Sequence, residues 1–202
     1  MRKQSVTMLI LGLVIAGHLP TSPAHAKEGM ISTDFDSTLT LFRFDAPDSL
    51  NRWVAINDDV MGGVSHGAMA ITRDSCLQFE GSLSLENGGG FASIRTPLLK
   101  PDLTGYTGIR IRVKGDGRTY QFRLRPDTGM DGIAYRRDFQ TVPDTWVEID
   151  LPFESFQPSY RGDIIKDAEP LRAAEIRQLG FLIADKTAGA FRLIIGAIGA
   201  YK

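Results

Sequence analysis

Regular alternation of apolar and polar residues restricts the fold of this chain more than any other feature. In residues 109–114 the odd positions are Ile or Val and the even positions are Arg or Lys. Residues 121–125 and 146–151 repeat the pattern. Since successive side chains of a strand point to opposite faces, each segment predicts a β-strand with one buried and one solvent-exposed face.

About ten or eleven such strands are predicted, separated by clusters of Gly, Pro, Asp and Asn, a spacing typical of a sandwich or barrel. The predicted strands are residues 40–44, 53–56, 68–72, 76–80, 91–96, 109–114, 121–125, 134–141, 146–151, 179–184 and 191–195. Residues 170–178 predict one short helix, because Pro170 stands at its start and Gly180 just beyond its end. Residues 157–170 are interpreted as a surface loop. No strand-helix-strand rhythm is present, so we predict one all-β antiparallel sandwich over residues 39–202.

Residues 1–26 are predicted to be a cleaved secretory signal. They have a basic start at residues 2–3, an almost wholly apolar run over residues 6–17 and a small-residue cleavage motif at residues 24–26. The apolar run is shorter than the roughly 20 residues of a membrane-spanning helix, so no stable membrane insertion is expected after cleavage. Residues 27–38 are polar and patternless, which predicts a flexible lead-in. We therefore expect a periplasmic or secreted protein.

Composition excludes several classes of function. Lys and Arg total 23 against 24 Asp and Glu, so the formal net charge of -1 gives no general attraction to nucleic acid. Two of the 3 histidines lie in the predicted leader, so His66 alone remains, and a zinc site built on several imidazoles is impossible. The sequence has no GxxxxGK[ST] loop and no GxGxxG turn for a nucleotide. We predict no cofactor and no bound metal.

Two glycine-rich segments adjoin predicted strands. The first is residues 57–65, Asn-Asp-Asp-Val-Met-Gly-Gly-Val-Ser, and the second is residues 86–95, Glu-Asn-Gly-Gly-Gly-Phe-Ala-Ser-Ile-Arg. Paired glycines permit positive φ angles and close backbone approach, and Asn or Asp beside them bonds neighbouring backbone groups. Both segments therefore predict tight loops, with or without a binding role.

Together with later segments, these two loops closely resemble the NADH:ubiquinone oxidoreductase complex I intermediate-associated protein family. The later segments are residues 79–81, 115–120, 146–156, 161–162 and 180–191. The resemblance covers nearly the whole chain after the predicted leader. It implies a galactose-binding-domain-like jelly-roll sandwich, and it implies assembly work on respiratory complex I without an established catalytic activity.

A binding site is predicted at one rim of the sandwich, formed by Asn57, Asp58, Asn87, Arg95 and Asp185. Alternation places Phe91 and Arg95 on the same face of their strand. If Phe91 faces the core, Arg95 does so too and needs a carboxylate or carbonyl partner. The candidate partners are Asp58, Asp59, Glu86 and Asp185. Two interpretations stay open, namely a polar binding pocket and a structural ion pair that pins the two glycine loops.

A second binding surface is predicted on one outer sheet face, where two strands present Arg110, Arg112, Arg123 and Arg125, with Arg136 or Arg137 as a further candidate. Clustered guanidinium groups bind carboxylates, phosphates or acidic protein surfaces through paired hydrogen bonds. Glu148 and Asp150 fall on the same side of the alternation in their own strand. A solvated face whose charges pair with one another is therefore the alternative.

The adjacent carboxylates Asp58 and Asp59 suit either a structural Ca²⁺ site or a general acid and base. Consecutive residues of an extended chain point apart, which disfavours the catalytic pair.

These observations predict a non-enzymatic, exported binding protein with a protein partner, in an accessory or assembly role for a membrane or envelope complex. The alternative is a carbohydrate-binding module, for which the plausible aromatic contacts are Trp146, Tyr135 and Tyr160. A hydrolase that uses carboxylates is the third interpretation.

Overall fold

The computed structural model describes residues 38–97, 99, 101–126 and 132–202. The predicted signal at residues 1–26, and all of the predicted lead-in except its last residue, lie outside the described residues. The strands are β1 (Leu39–Phe42), β2 (Val54–Asn57), β3 (His66–Ile71), β4 (Leu77–Leu83), β5 (Ala92–Arg95), β6 (Gly108–Lys114), β7 (Thr119–Arg125), β8 (Ala134–Gln140), β9 (Trp146–Pro152), β10 (Gln157–Tyr160), β11 (Asp163–Ile164), β12 (Gln178–Ile183) and β13 (Gly189–Tyr201).

Two sheets contain these strands. The 6-stranded sheet has the order β3-β4-β13-β6-β9, and β1 pairs with β13 beside that path. The 7-stranded sheet has the order β11-β10-β8-β7-β12-β5-β2. The strand pairs within both sheets are antiparallel. The predicted all-β antiparallel sandwich is therefore confirmed.

The alternation in the sequence matches the burial of the side chains. Ile109, Ile111 and Val113 of β6 are fully buried, as are Phe122 and Leu124 of β7. Both sets belong to one hydrophobic core between the sheets. Burying a large apolar side chain contributes about 1.5–3 kcal/mol, so these positions determine which face of each strand turns inward.

Aromatic side chains form much of that core. The ring of Phe181 lies 5.1 Å from that of Phe122 and 6.2 Å from those of Trp53 and Phe139, measured between centroids. The rings of Phe79 and Phe191 meet at 4.9 Å in an edge-to-face arrangement. In the part of the chain that the structure describes, no helix is both long enough and apolar enough to span a membrane.

Strand β13 extends beyond its predicted end at Ile195. It runs for 13 residues to Tyr201 and pairs with β4, β6 and β1. The register shifts between Ile195 and Ala197, so Gly196 forms a bulge. A Cβ on Gly196 would lie 3.2 Å from the Trp146 ring. The glycines and alanines of this stretch weaken the strand pattern in the sequence. Hydrogen bonding to strands on both sides stabilises β13 although these residues have a low strand propensity.

The segment before β12 differs from its prediction. Residues 157–170 were interpreted as loop, but β10 pairs with β8 and with β11. The predicted helix at residues 170–178 is shortened to a 3-10 turn, Ala173–Glu175. Gln178 already pairs with Arg125 of β7, and this pairing with a distant strand overrides the local helix signals.

Candidate functional site

A cleft of about 710 Å³ lies on the outer face of the 7-stranded sheet. Strands β5, β12 and β7 of this sheet contribute residues that line the cleft, and residues 60–61 and 88–91 line the edge of the cleft. Ala92 and Ile94 of β5 point the other way and are fully buried in the core. Phe91 and Arg95 therefore face the cleft together, and the possibility that both face the core is wrong.

The charged side chains that line the cleft, among the residues that the structure describes, are all arginines. They are Arg95, Arg123, Arg125 and Arg161. Arg95 is placed by β5, Arg123 and Arg125 by β7, and Arg161 by the turn after β10. Among the described residues, the charge that lines the cleft is thus positive, although the chain as a whole carries a formal charge of -1.

Strand pairing arranges three arginines in one row across the sheet. Gly180 of β12 pairs with Arg95 on one side and with Arg123 on the other. Arg123 in turn pairs with Arg136 of β8. We call Arg95, Arg123 and Arg136 the arginine row. Gly180 has no side chain between the first two, and a Cβ there would lie 2.4 Å from the Ile94 carbonyl oxygen.

Arg123 occupies the centre of the arginine row. Its Nε and Nη2 donate to the neutral Gln121 Oε1 at 3.1 and 2.8 Å. Burial, and after it repulsion from Arg125 and Arg136, lowers the pKa of Arg123 to about 10, although Asp138 opposes the shift. The guanidinium therefore remains charged at neutral pH inside a partly desolvated site.

Asp58 holds the two glycine loops at the edge of the cleft. Its carboxylate is fully buried and accepts hydrogen bonds from the backbone N–H groups of Ser65 at 2.8 Å, Gly90 at 2.7 Å and Phe91 at 3.3 Å. Burial raises the pKa of Asp58, but the hydrogen bonds from Ser65, Gly90 and Phe91 outweigh it, so the pKa lies below its ordinary value. Asp58 is therefore a buried anion that fixes the loops.

The glycines beside Asp58 are required by close approach. A Cβ on Gly63 would lie 2.3 Å from Asp58 Cγ, and one on Gly89 would lie 2.6 Å from Asp58 Oδ2. Both distances are shorter than real Cβ atoms tolerate. The loops pack their backbones directly against the carboxylate, which explains the glycine clusters seen in the sequence.

Three exposed apolar residues, two on the first of these loops and one just before the second, adjoin the cleft. Val60 and Met61 are 67% and 64% exposed and line the cleft. Leu85 is also exposed, and its Cδ2 lies 3.3 Å from the Cβ position of Gly90. We call Val60, Met61 and Leu85 the apolar rim. Large apolar side chains that a hydrogen-bonded loop keeps exposed to solvent indicate an interaction surface.

The other predicted rim residues do not line the cleft. Asn57 Nδ2 donates to the Gly67 carbonyl oxygen of the opposite sheet at 3.2 Å. Asn87 is exposed in a 3-10 turn with φ 55°. Asp185 pairs with Arg118, which donates to its two carboxylate oxygens at 2.9 and 2.6 Å. Burial raises the pKa of Asp185, but the hydrogen bonds from Arg118 and Thr187 and the charge of Arg118 together outweigh it, so the pKa lies below its ordinary value. Neither Asp58 nor Asp185 is a hydrogen-bond partner of Arg95 in these contacts.

The structure does not bring the four predicted face arginines together. Arg110 and Arg112 belong to β6 in the 6-stranded sheet, whereas Arg123 and Arg125 belong to β7 in the other sheet. Arg110 pairs with Asp150 at 2.6 and 2.9 Å, and the Arg112 Cζ lies 4.7 Å from the centre of the Trp146 ring. The grouping into one face was wrong because alternation gives the side of a strand but not the sheet to which the strand belongs.

The structure also bears on the suggested chemistry of the adjacent carboxylates. Asp58 accepts three N–H groups, and Asp59 Oδ1 accepts the Val60 N–H at 3.0 Å. Oxygens that face N–H donors present the wrong polarity to a cation. Within the described residues, no cluster of three or more His, Cys, Asp or Glu side chains is placed to hold a metal. His66 is exposed at the start of β3.

Comparison with known proteins identifies relatives. A family model described as Complex I intermediate-associated protein 30 (CIA30) matches residues 42–195. The chain is similar to the mitochondrial complex I intermediate-associated protein 30 of Mus musculus, with 27% identity over 80% of this chain and 55% of the mouse protein. The Drosophila melanogaster protein of the same name is 25% identical over 80% of this chain and 62% of its own length. This chain thus spans little more than half the length of those relatives. The resemblance drawn from the glycine loops is confirmed.

Among solved structures, the chain resembles a family 11 carbohydrate-binding module from Clostridium thermocellum, determined in complex with a beta-1,3-1,4-mixed-linked tetrasaccharide. The TM-score is 0.63, and the match covers 81% of this chain and 94% of that one at 14% identity. Identity this low shows the fold alone. It agrees with the predicted galactose-binding-domain-like jelly-roll sandwich.

The predicted periplasmic or secreted location is wrong. The mouse and fruit-fly relatives are both named mitochondrial proteins, a location that contradicts the prediction. The prediction depended on a basic start and an apolar run before residue 26. Composition alone does not distinguish one kind of targeting segment from another.

Reading the sequence alone missed the arginine row and the apolar rim. Arg136 was a candidate for the face of Arg123, but its pairing with that residue depends on strand register. Arg161 carried no pattern that joined it to β7. Val60 and Met61 did carry a signal, since they are large apolar residues inside a segment of turn-forming residues. Apolar residues that interrupt a loop without a strand or helix period are candidates for exposed contact residues.

Proposed function

Since this chain belongs to the complex I intermediate-associated protein 30 family, we propose that it is a non-catalytic binding module that serves as an accessory or assembly factor for complex I. The partner is a protein, and it binds at the cleft and its apolar rim. The other arginine pair, Arg110 and Arg112, makes contacts within its own sheet and is not part of this site.

One observation carries the proposal. A pinned loop presents the exposed side chains of Val60 and Met61 at the mouth of an arginine-lined cleft. Met and Arg are enriched in protein interfaces, where apolar anchors are surrounded by polar and charged groups. The hydrogen bonds to Asp58 hold the loop in one conformation before binding, so the loop loses less conformational entropy when the partner binds.

A binding role without catalysis is supported by the side chains at the site. No His, Cys, Asp or Glu is found among the described residues that line the cleft. General acid and base catalysis and covalent catalysis draw mainly on those residue types. The carboxylate of Asp58, at the edge of the cleft, is occupied by backbone N–H donors. Turnover of an ester or glycoside by the purified protein would overturn this part of the proposal.

Crosslinking in intact cells, followed by identification of the attached proteins, tests the partner. Wild type is compared with Met61→Ser, which removes an apolar rim side chain that is 64% exposed, and with Ile71→Ser as the matched control. Ile71 is 36% exposed on β3 of the other sheet. We expect wild type and Ile71→Ser to capture the same complex I subunit and Met61→Ser to capture several-fold less. Capture of no complex I subunit, or equal capture by all three proteins, contradicts the proposal.

The carbohydrate-binding alternative is favoured by the fold but not by the aromatic residues suggested for it. Trp146 lies on the opposite sheet with Arg112 and Lys114 over its ring, and the hydroxyl of buried Tyr135 donates to Glu169 O at 2.7 Å. Tyr160 is exposed, but Arg161 lies 5.3 Å from its ring centre. Binding on a glycan array that Trp146→Ala abolishes would favour the carbohydrate alternative over the protein partner.

A further inference from the structure

The arginine row places like charges where strand pairing gives them little freedom to separate. Arg123 and Arg136 are directly paired across β7 and β8. Arg95 is two strands from Arg123, with only Gly180 between them. Like charges directly opposite in a sheet are destabilising, so the pairing of Arg123 with Arg136 does not serve the stability of the free protein.

The surroundings of Arg123 also indicate that its charge does not stabilise the free protein. Within the described residues its hydrogen bonds go to the neutral Gln121, and no carboxylate forms an ion pair with it. By contrast, Arg110, Arg118 and Arg192 each pair with an Asp. The central guanidinium of the cleft thus retains the capacity to bind an anion.

We propose that the cleft binds an extended acidic segment of the partner protein, with its carboxylates on the arginine row and an apolar side chain against the apolar rim. This inference rests on the protein-binding function proposed above, and it specifies the chemistry of the bound segment.

Dimensions favour a peptide over a single small anion. Neighbouring strands lie about 4.8 Å apart, so the backbone positions of Arg95 and Arg136, three strands apart, are separated by about 14 Å. An extended chain of about four or five residues covers that distance, and alternate side chains then point to the same face. One phosphate reaches only part of the row. The exposed Val60 and Met61 at the edge suit an apolar residue that follows the acidic ones.

Fluorescence anisotropy with synthetic peptides tests the inference. The probes are short labelled peptides with alternating Glu residues and one Leu, and matched peptides in which every Glu is Gln. Arg123→Gln removes the central charge, and Arg192→Gln is the matched control. Arg192 lies on β13 of the other sheet and pairs there with the exposed Asp144. Inorganic phosphate and polygalacturonate serve as competing anions.

We expect the acidic peptide to bind wild type and Arg192→Gln equally, and the Gln peptide to bind far more weakly. Arg123→Gln should weaken binding roughly tenfold to a hundredfold, because a desolvated charge pair is lost. Raising NaCl from about 50 to 500 mM should also weaken binding to wild type, which tests the charge dependence without any substitution.

Equal binding of the acidic and Gln peptides overturns the inference, and so does binding of phosphate or polygalacturonate without binding of the acidic peptide. The two proposals fail separately. If crosslinking captures a complex I subunit through Met61 but acidic peptides do not bind, the protein-binding function stands and the acidic segment is wrong. If no subunit is captured, the function itself fails.

Discussion

Replacing Asp58 by Asn changes one oxygen of a buried carboxylate to an amide nitrogen and nothing else in size. In the wild type, Oδ1 accepts the Ser65 N–H at 2.8 Å, and Oδ2 accepts the N–H groups of Gly90 and Phe91. An amide has one acceptor oxygen. In its better orientation that oxygen faces Gly90 and Phe91, and the new NH₂ group faces the Ser65 N–H, donor against donor.

The expected loss follows from those contacts. A hydrogen bond to a charged group contributes about 1.5–3 kcal/mol, and the one from Ser65 is lost outright. The remaining bonds weaken because charge-assisted hydrogen bonds are roughly twice as strong as neutral ones. We expect Asp58→Asn to lower the free energy of unfolding by about 3 kcal/mol. In a domain of this size that corresponds to a fall in Tm of roughly 6–12 °C.

Urea unfolding at neutral pH measures the change, with Asp59→Asn as the matched control. Asp59 is exposed and accepts only the neighbouring Val60 N–H, so its substitution should cost less than about 0.5 kcal/mol. A free energy of unfolding for Asp58→Asn within about 0.5 kcal/mol of wild type would refute the assignment of Asp58 as the group that fixes the loops.

The same variant should change the acid limb of the stability profile. The pKa of Asp58 is lower in the folded protein than its ordinary value of 3.8. Its contribution is therefore fully present above that value and is lost as pH falls through the lower folded pKa. The difference in stability between wild type and Asp58→Asn should narrow as pH falls below about 4. A constant difference down to the acid transition contradicts this linkage.

Three further substitutions test the packing around the site. Arg118→Met should lower the free energy of unfolding by about 2–4 kcal/mol in urea, because it leaves the Asp185 carboxylate, whose side chain is only 13% exposed, without its guanidinium partner. Gly63→Ala should cost about 1–3 kcal/mol, since its Cβ would lie 2.3 Å from Asp58 Cγ, and the double variant with Asp58→Asn should be less destabilised than the sum. Burial and the adjacent Asp116 raise the pKa of Tyr120, so one of the 5 tyrosines should ionise only as the protein unfolds in alkaline titration, and Tyr120→Phe should remove that step.

Local patterns were reliable where burial has a fixed period. Ile109 and Ile111 of β6 and Phe122 of β7 were predicted to face inward, and all three are fully buried. The same reasoning did not give the site, because the position of Arg123 opposite Gly180 and Arg136 depends on register between distant strands. A strand pattern is compatible with either sheet, and only pairing decides between them.

The rim prediction shows how a correct residue type can be assigned the wrong partner. Asp58 was a candidate partner for Arg95, and in the structure its carboxylate instead accepts backbone N–H groups from both glycine loops. Asp185 lies in a second pair with Arg118, a residue that the sequence had marked only as part of a family-matching segment. The partner of a charged side chain cannot be read from spacing along the chain. Asp58 and its partner Gly90 are 32 residues apart in the sequence, and Arg118 and Asp185 are 67 apart.

By itself the sequence determined that this chain forms antiparallel strands, that its glycines lie in tight loops, and that it is a relative of the complex I intermediate-associated proteins. The first two properties depend on side-chain period and local backbone freedom, and the third on motifs shared with relatives, all of which a linear sequence records. Tertiary structure alone decided that β7 and β6 belong to different sheets, that three arginines form one row, and that Met61 stays in water beside them. Those properties arise from hydrogen bonds between strands distant in sequence, and no local pattern specifies them.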